Sequence, residues 1–319
     1  MFQLKAINPL RATVQELRIL HECLNSIWTE ENVVKLSFKE FFEASKNLKK
    51  NSHKFNIYLL FKSNKAIGRL VFQVVQKHDD QDVVISILKE HLDSKVLSFL
   101  DKNITCNYFA KMSWLKTFQN DVSLWAKAKG YKVVNQFQHF EKHINSSSKI
   151  ELEDWAKVPD NLSVHYISYP EGKYLPEFTS FMNTCLHEMM REKVRENLHM
   201  EESYVVNWIE SAKRGEINFE IVALRDKKEK MVAMSFGIVS DKNSKYLQQR
   251  MTGVLKEYRG QNLGIVTKSL LYLKVQRDYP TVEVVKTDCF TTNKPMCDIQ
   301  IKMGFQVTIL ADELLRESI

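Results

Sequence analysis

The stretch Met251-Thr-Gly-Val-Leu-Lys-Glu-Tyr-Arg-Gly-Gln-Asn-Leu-Gly264 runs from strand-like spacing into a glycine-bearing turn, and an apolar-periodic segment comes after it. Ile265, Leu270, Leu271, Leu273 and Val275 predict a helix with one apolar face that ends before Pro280. A loop that delivers a strand into a helix exposes backbone N–H groups at the helix start, where the peptide dipoles favour negative charge. Glycine lets that backbone approach a phosphate and take positive φ, and asparagine is the non-glycine type that tolerates left-handed geometry best. Arg259-Gly-Gln-Asn-Leu-Gly264 can therefore cradle a pyrophosphate. Two glycines at this spacing also occur in ordinary strand-to-helix turns, so the surrounding elements must decide.

Outward from this segment the order of elements is legible. Residues 163–168 read as a short strand, and 175–192 and 201–213 have helical spacing. Residues 218–224 and 231–239, separated by Arg225-Asp-Lys-Lys-Glu-Lys230, read as a hairpin, and 245–255 as a third long strand. Beyond the glycine loop come a helix, a strand over 282–287, a helix over 293–302 and a last strand over 305–310.

The first half fits the same template. Residues 55–61 and 66–75 predict a hairpin, 83–88 a third strand, 96–100 a short helix, 104–108 a strand, 114–129 a helix and 131–143 a strand. Ala128-Lys-Gly-Tyr-Lys-Val133 matches Lys302-Met-Gly-Phe-Gln-Val307, each a helix closed by a glycine cap and an aromatic that opens a strand. A duplicated domain accounts for this economically. Where the second half has its glycine loop, the first has Lys89-Glu-His-Leu-Asp-Ser94 and no glycine. The polar run Asn145-Ser-Ser-Ser148 marks the boundary, giving a first domain over 1–150 without the loop and a second over 151–319 with it.

Composition narrows the class. No run of about 18 apolar residues occurs, and Met1-Phe-Gln-Leu-Lys-Ala-Ile-Asn-Pro9 lacks the charged start and apolar block of a secretion signal, so no membrane role and a cytoplasmic location are expected. Cys23, Cys106, Cys185, Cys289 and Cys297 form no CxxC pair and no pattern with histidine, which supports neither a zinc site nor a disulfide framework. They read as small buried hydrophobes. Residues 1–150 carry 23 Lys+Arg against 14 Asp+Glu, or +9, and the remainder 23 against 25, or −2. A basic half permits a nucleic-acid or other anionic partner, but its lysines are spread along the chain as on a solvated surface.

The segment 252–268 resembles the acetyl-CoA-binding signature of the GNAT superfamily of N-acetyltransferases, with Arg259 and Gly264 at the outer positions and Asn262 in place of the middle glycine. A second resemblance is Thr287-Asp-Cys-Phe-Thr-Thr-Asn293-Lys-Pro-Met296, then Ile299 and Met303-Gly-Phe305. The chain looks most similar to the tandem-domain type with the architecture of mycothiol synthase. The resemblance implies an α+β chain of two GNAT-like domains, each a mixed, mainly antiparallel sheet flanked by helices. It implies acetyl-CoA as co-substrate, transfer to an amine of a small molecule or peptide by direct attack, and no covalent enzyme intermediate. By position, the strand ending at Val254 would splay from 282–287 and leave the backbone of 252–255 to pair with pantetheine. Thr252, Gly253 and Val254 would line that edge, with an N–H near Val254 polarising the thioester carbonyl. Arg259, Gly260, Gln261, Asn262, Leu263 and Gly264 would hold the pyrophosphate, and Asn293 the pantetheine arm.

Acid and base are not assigned by this reading. Where relatives carry a tyrosine four residues before the closing glycine, this chain has Gln300, and Tyr246-Leu-Gln-Gln-Arg250 offers no glutamate. Glu220, Asp288, Tyr246, His187 and Glu188 are the available substitutes. The alternative function is a non-catalytic CoA-binding or interaction protein.

Overall fold

The computed structural model describes residues 2–7, 12–30, 38, 41, 55–74, 81–104, 113–117, 119–144, 149–189, 200–215, 217–240 and 244–316. They cluster into two compact units, Met1–Phe137 with Ile309–Ile319, and Gln138–Thr308. The boundary thus falls earlier than 150, inside a strand, and the chain's last strand returns to the first unit. A strand that runs straight through the boundary leaves no linker composition to read.

In unit 1 the strands β1 (Phe2–Ile7), β2 (Phe55–Lys62), β3 (Lys65–Val74) and β4 (Gln81–Ile87) pair antiparallel in that order. β4 then pairs in parallel with β5 (Ser113–Thr117), which takes the end of the last strand on its other side. Helix α1 (Val14–Glu30) opens with a capping box, Glu16 N–H donating to Thr13 Oγ1 and Thr13 N–H to the Glu16 carboxylate. It packs Leu20, Cys23, Leu24 and Ile27 on Ile7 and Leu59. Helices α2 (Ser94–Ile104) and α3 (Asn120–Ala128) bury Val96, Leu100, Val122 and Trp125 against Leu60, Leu70, Ile85 and Ile87 on the other face. The expected helix over 114–129 is corrected: Trp114, Leu115 and Lys116 pair with both β4 and the last strand, and sheet pairing overrides the helical spacing. Ile104 closes α2, and the remainder of the strand expected at 104–108 lies outside the described residues.

Unit 2 begins within β6 (Lys132–His143), continues through α4 (Lys149–Trp155), and orders its sheet β6-β11-β10-β9-β8-β7. Here β7 is Ser163–Ile167, β8 Asn218–Arg225, β9 Met231–Val239, β10 Tyr246–Val254 and β11 Val284–Phe290. Strands β7 to β10 pair antiparallel and β10 pairs β11 in parallel. Helices α5 (Tyr174–Met189) and α6 (Glu202–Lys213) cover Phe219, Ile221, Met234 and Phe236 on one face. The helices α7 (Leu263–Asp278) and α8 (Lys294–Lys302) cover Val222, Leu247 and Val285 on the other. In place of one apolar face, α7 is buried on every residue from Leu263 to Tyr272, because the sheet, α4 and α8 all pack on it. The last strand, β12 (Gln306–Arg316), is longer than the expected 305–310. Among the described residues no helix is long and apolar enough to cross a membrane.

Candidate functional site

β10 pairs with β11 only through Tyr246, Leu247 and Gln248, opposite Val284, Val285 and Lys286. Past those pairs β10 continues to Val254 and β11 to Phe290 without pairing with each other, so the two strands splay. A β-bulge falls at the start of the splay: Gln249 pairs with Gly237 and Met251 with Phe236, which leaves Arg250 without a partner on β9. Peptide groups alternate sides along an antiparallel strand. Leu255 N–H donates to Val232 O on the β9 side, so the N–H groups of Val254 and Thr252 face the splay.

This places part of the expected edge and corrects part. The Leu255 N–H is committed to the sheet, and Val254 O accepts from Arg259 Nε at 3.1 Å, so neither is open. The Thr252 side chain is engaged as well, at 2.5 Å from Ser235 Oγ and 2.6 Å from Gln249 Nε2. Gly253 turns the other way: a Cβ there would lie 2.5 Å from Cys185 Sγ, so its role is to let α5 close on the strand.

After Val254 the chain makes a three-residue 3₁₀ turn, Lys256–Tyr258, and extends at Arg259. It then reverses through Gly260 at φ 83° and Asn262 at φ 58°. Asn262 is the N-cap of α7 in left-handed geometry and makes no side-chain cap; the Ile265 N–H donates to Asn262 O, and the N–H groups of Leu263 and Gly264 are left at the start of a sixteen-residue helix. Gly260, Gln261 and Asn262 are exposed, whereas Leu263 belongs to the core. Gly264 permits close packing: a Cβ there would meet Ile299 Cδ1 at 3.2 Å and the side chains of Thr252 and Val254. The Arg259 guanidinium pairs with Glu188 at the end of α5. Asn293 caps α8, accepting from Met296 N–H, with Pro295 behind it in the first turn.

One buried cation lies beneath the splay. Lys268, one turn past Gly264, places Nζ 2.6 Å from Gln249 Oε1, 3.2 Å from Gln300 Oε1 and 3.3 Å from Tyr272 Oη. Full burial without a carboxylate partner lowers it from 10.5 to about 7. Gln249 and Gln300 both turn their side-chain oxygens to this amine. The sequence reading passed over Lys268, although Gly264, Lys268 and Tyr272 recur every fourth residue on one helix face. Cys289 and Cys297 lie 3.6 Å apart, buried, with the Cys289 thiol pushed up by burial.

Of the five acid–base candidates, Glu220 is buried in an ion pair with Lys274 at 3.1 Å and accepts from Tyr279 Oη at 2.6 Å. Glu188 is held by Arg259, and His187 is exposed on α5. Tyr246 lies under the Lys286 ammonium, 4.4 Å from its ring centroid. Asp288 is on the splayed part of β11, 2.5 Å from Nδ1 of His139 on β6. His139 escaped the sequence reading because its strand was assigned to the first domain.

Unit 1 repeats the path with different ends. β4 closes at Ile87, Leu88 N–H donates to Ile67 O, and Lys89–His91 forms a 3₁₀ turn, as Val254, Leu255 and Lys256–Tyr258 do. Only Leu92 and Asp93 then precede α2, two residues where unit 2 has four. The Asp93 carboxylate accepts from the N–H groups of Val96 and Lys95, which hold it below its usual range. Gln119, the N-cap of α3 and the counterpart of Asn293, receives the Ile87 N–H at 3.1 Å and donates back to Ile87 O.

No protein-family model matches the chain, and no curated protein matches it in sequence. Solved structures do match in fold. A tandem GNAT protein from the clavulanic acid biosynthesis pathway is 12% identical at a TM-score of 0.70, with 100% of this chain and 99% of that chain covered. A GCN5-related N-acetyltransferase from Sphaerobacter thermophilus is 9% identical at 0.67, covering 99% and 96%. A GNAT-family acetyltransferase from Colwellia psychrerythraea is 12% identical at 0.54, covering 98% and 100%. At such identities the likeness is one of fold: this chain has the tandem GNAT fold, α+β, along its whole length.

Proposed function

We propose that unit 2 binds acetyl-CoA and transfers its acetyl group to an amine, one site per chain. The observation that carries this reading is the splay of β10 from β11 leading into an uncapped α7. The exposed backbone of Gly260, Gln261 and Asn262, with the first turn of α7, would hold the pyrophosphate, and Arg259 would exchange Glu188 for it. The outward N–H groups of Thr252 and Val254 would pair with the pantetheine amides, as strand addition requires. Asn293 would add its side chain from the α8 cap. The bulge at Arg250 supplies backbone at the inner end of the splay for polarising a thioester carbonyl, which moves that role from Val254. Acetyl-CoA brings the activated acyl group. The protein's part is to align it and to take up the amine proton.

A ligand that binds only the folded state raises its stability. The test is therefore a thermal-shift titration with acetyl-CoA, which should raise Tm in a saturable way; a flat response rules out the reading. Gly264 is a poor position for a control, since substitution strikes Ile299. Asn262→Asp, which places a carboxylate at the helix start, should weaken binding without unfolding the chain. A second reading, CoA binding without transfer, is favoured by Gln249 and Gln300 being tied to Lys268. Steady acetylation of any amine removes it.

A further inference from the structure

We infer that the face of unit 2 carried by β6, β10 and β11 is the acceptor site, that it takes an amine bearing a second, anionic group, and that Asp288 receives the amine proton. The inference rests on the acetyl-CoA reading above and names the substrate class of the same site.

Alternation along the strands separates two faces. Leu247 and Gln249 of β10 and Val285 and Cys289 of β11 turn toward α7 and α8. Tyr246, Gln248, Lys286 and Asp288 therefore turn the other way, where α5 and α6 cover β8 and β9, and Arg250, at the bulge where alternation breaks, is tied to this face by its charge interaction with Asp288. Contacts confirm this face. Lys286 Nζ lies over the Tyr246 ring and 3.1 Å from Glu141 on β6, and Asp288 meets His139 on the same strand.

Exposure then divides the charges. Lys286 and Glu141 retain 12% and 23% exposure and neutralise each other, whereas Asp288 is 44% exposed and Arg250 is exposed. Arg250 is the bulge residue, and Asp288 is the second residue past the last β10–β11 pair, so both stand at the mouth of the splay. Protein atoms crowding the guanidinium lower Arg250, and the nearby Asp288 carboxylate offsets part of that. A carboxylate and a guanidinium so placed complement a ligand carrying an ammonium and an anion, and a simple alkylamine matches only half of it.

In the reaction the bound ammonium first gives up one proton to solvent, and the neutral amine nitrogen then bonds to the thioester carbonyl carbon. The C–S bond breaks with its electron pair leaving on sulfur, and the proton released from nitrogen passes to Asp288. Solvent then carries that proton away as the thiolate is protonated. His139 is a positioning residue, holding the carboxylate toward the mouth.

The experiment compares 6-aminohexanoate with hexylamine and O-phosphoethanolamine with ethanolamine, in the full chain with acetyl-CoA. The acidic member of each pair should have at least tenfold higher kcat/KM, and in Arg250→Met the ratio should fall to within about twofold of unity. Asp288→Asn should lower kcat at least a hundredfold for the acidic amines, with the acetyl-CoA thermal shift retained. His139→Gln should lower kcat less and leave KM for acetyl-CoA in place. In the absence of acetyl-CoA, 6-aminohexanoate should raise Tm of the wild type and not of Arg250→Met. Equal use of paired amines, turnover of neither, or full kcat in Asp288→Asn overturns the proposal. A wild type that shows no acetyl-CoA shift instead overturns the cofactor reading on which it rests.

Discussion

Two strands in this molecule, β4 and β10, end in the same sequence of events and then part. Each gives one residue to its hairpin neighbour and makes a three-residue 3₁₀ turn before a helix begins. In unit 2 four residues intervene, two of them with positive φ, and α7 starts without a side-chain cap. In unit 1 two residues intervene, and a carboxylate of the chain itself occupies the helix start. The strand edges differ in the same sense. The carboxamide of Gln119 pairs with both the N–H and the C=O of Ile87, as an amide of an added strand would, and the shorter Asn293 stays on its own helix. An anion and an amide from the protein thus stand in unit 1 where, on the proposed reading, a pyrophosphate and pantetheine would stand in unit 2. On the proposed reading, unit 1 fills with its own groups the places that unit 2 leaves to a ligand, and those groups contribute stability instead.

The largest effect expected from testing this comparison lies six residues past each cap, at Lys268 against Phe99. Burial lowers Lys268 to about 7, so between there and its ordinary 10.5 the folded state binds fewer protons than the unfolded. Stability should therefore rise with pH across this window and be lost as pH falls toward 7. At about 1.4 kcal/mol per pH unit the full span from about 7 to 10.5 is roughly 5 kcal/mol. Urea midpoints of wild type and Lys268→Met between pH 7 and 9.5 check it, and parallel curves would show that the ammonium finds compensation.

Gln119→Ala comes next, leaving the Ile87 N–H and C=O unpaired at a cost of about 1–3 kcal/mol by chemical denaturation. It should not open a second acetyl-CoA site. Calorimetry giving two ligands per chain for Gln119→Ala with Asp93→Asn would break the comparison, because the shorter loop could then suffice. Asn262→Asp, which makes the unit 2 cap resemble that of unit 1, should weaken acetyl-CoA about tenfold, or about 1.4 kcal/mol. Its Tm should change little or rise, since an acidic group at a helix start is stabilising by about 0.3–1 kcal/mol. Asp93→Ala should cost about 1 kcal/mol as a lost N-cap and leave acetyl-CoA affinity unchanged.

Much of unit 2 was legible because its elements are long, regular and bounded by clear turns. The hairpin at 225–230, the strand before the glycine loop and the Gly304 cap all stand where their spacing puts them. Unit 1 was read less well where two interactions competed. Ser113-Trp-Leu-Lys-Thr117 shares helical spacing with residues 118–129, yet it is a strand because β4 and β12 supply partners on both edges. Within residues 1–54, Thr13-x-x-Glu16 forms the capping box that opens α1. The domain cut at 150 moved to within β6, and that shift hid His139 from Asp288.

By itself the sequence determined the order of elements from residue 163 onward, the doubled architecture, and the presence of one glycine-bearing strand-to-helix loop at 259–264. These stem from local rules of spacing, capping and backbone freedom, which act over a few residues. Tertiary structure alone decided what each group in the loop does: that Gly264 fits against Ile299, that Asn262 leaves α7 uncapped, that Arg259 and Leu255 are already engaged. It also brought Lys268 to Gln249 and Gln300 and His139 to Asp288, pairs 19 to 149 residues apart in the chain. Such pairings depend on which strand lies beside which, and no local pattern in a single chain encodes that.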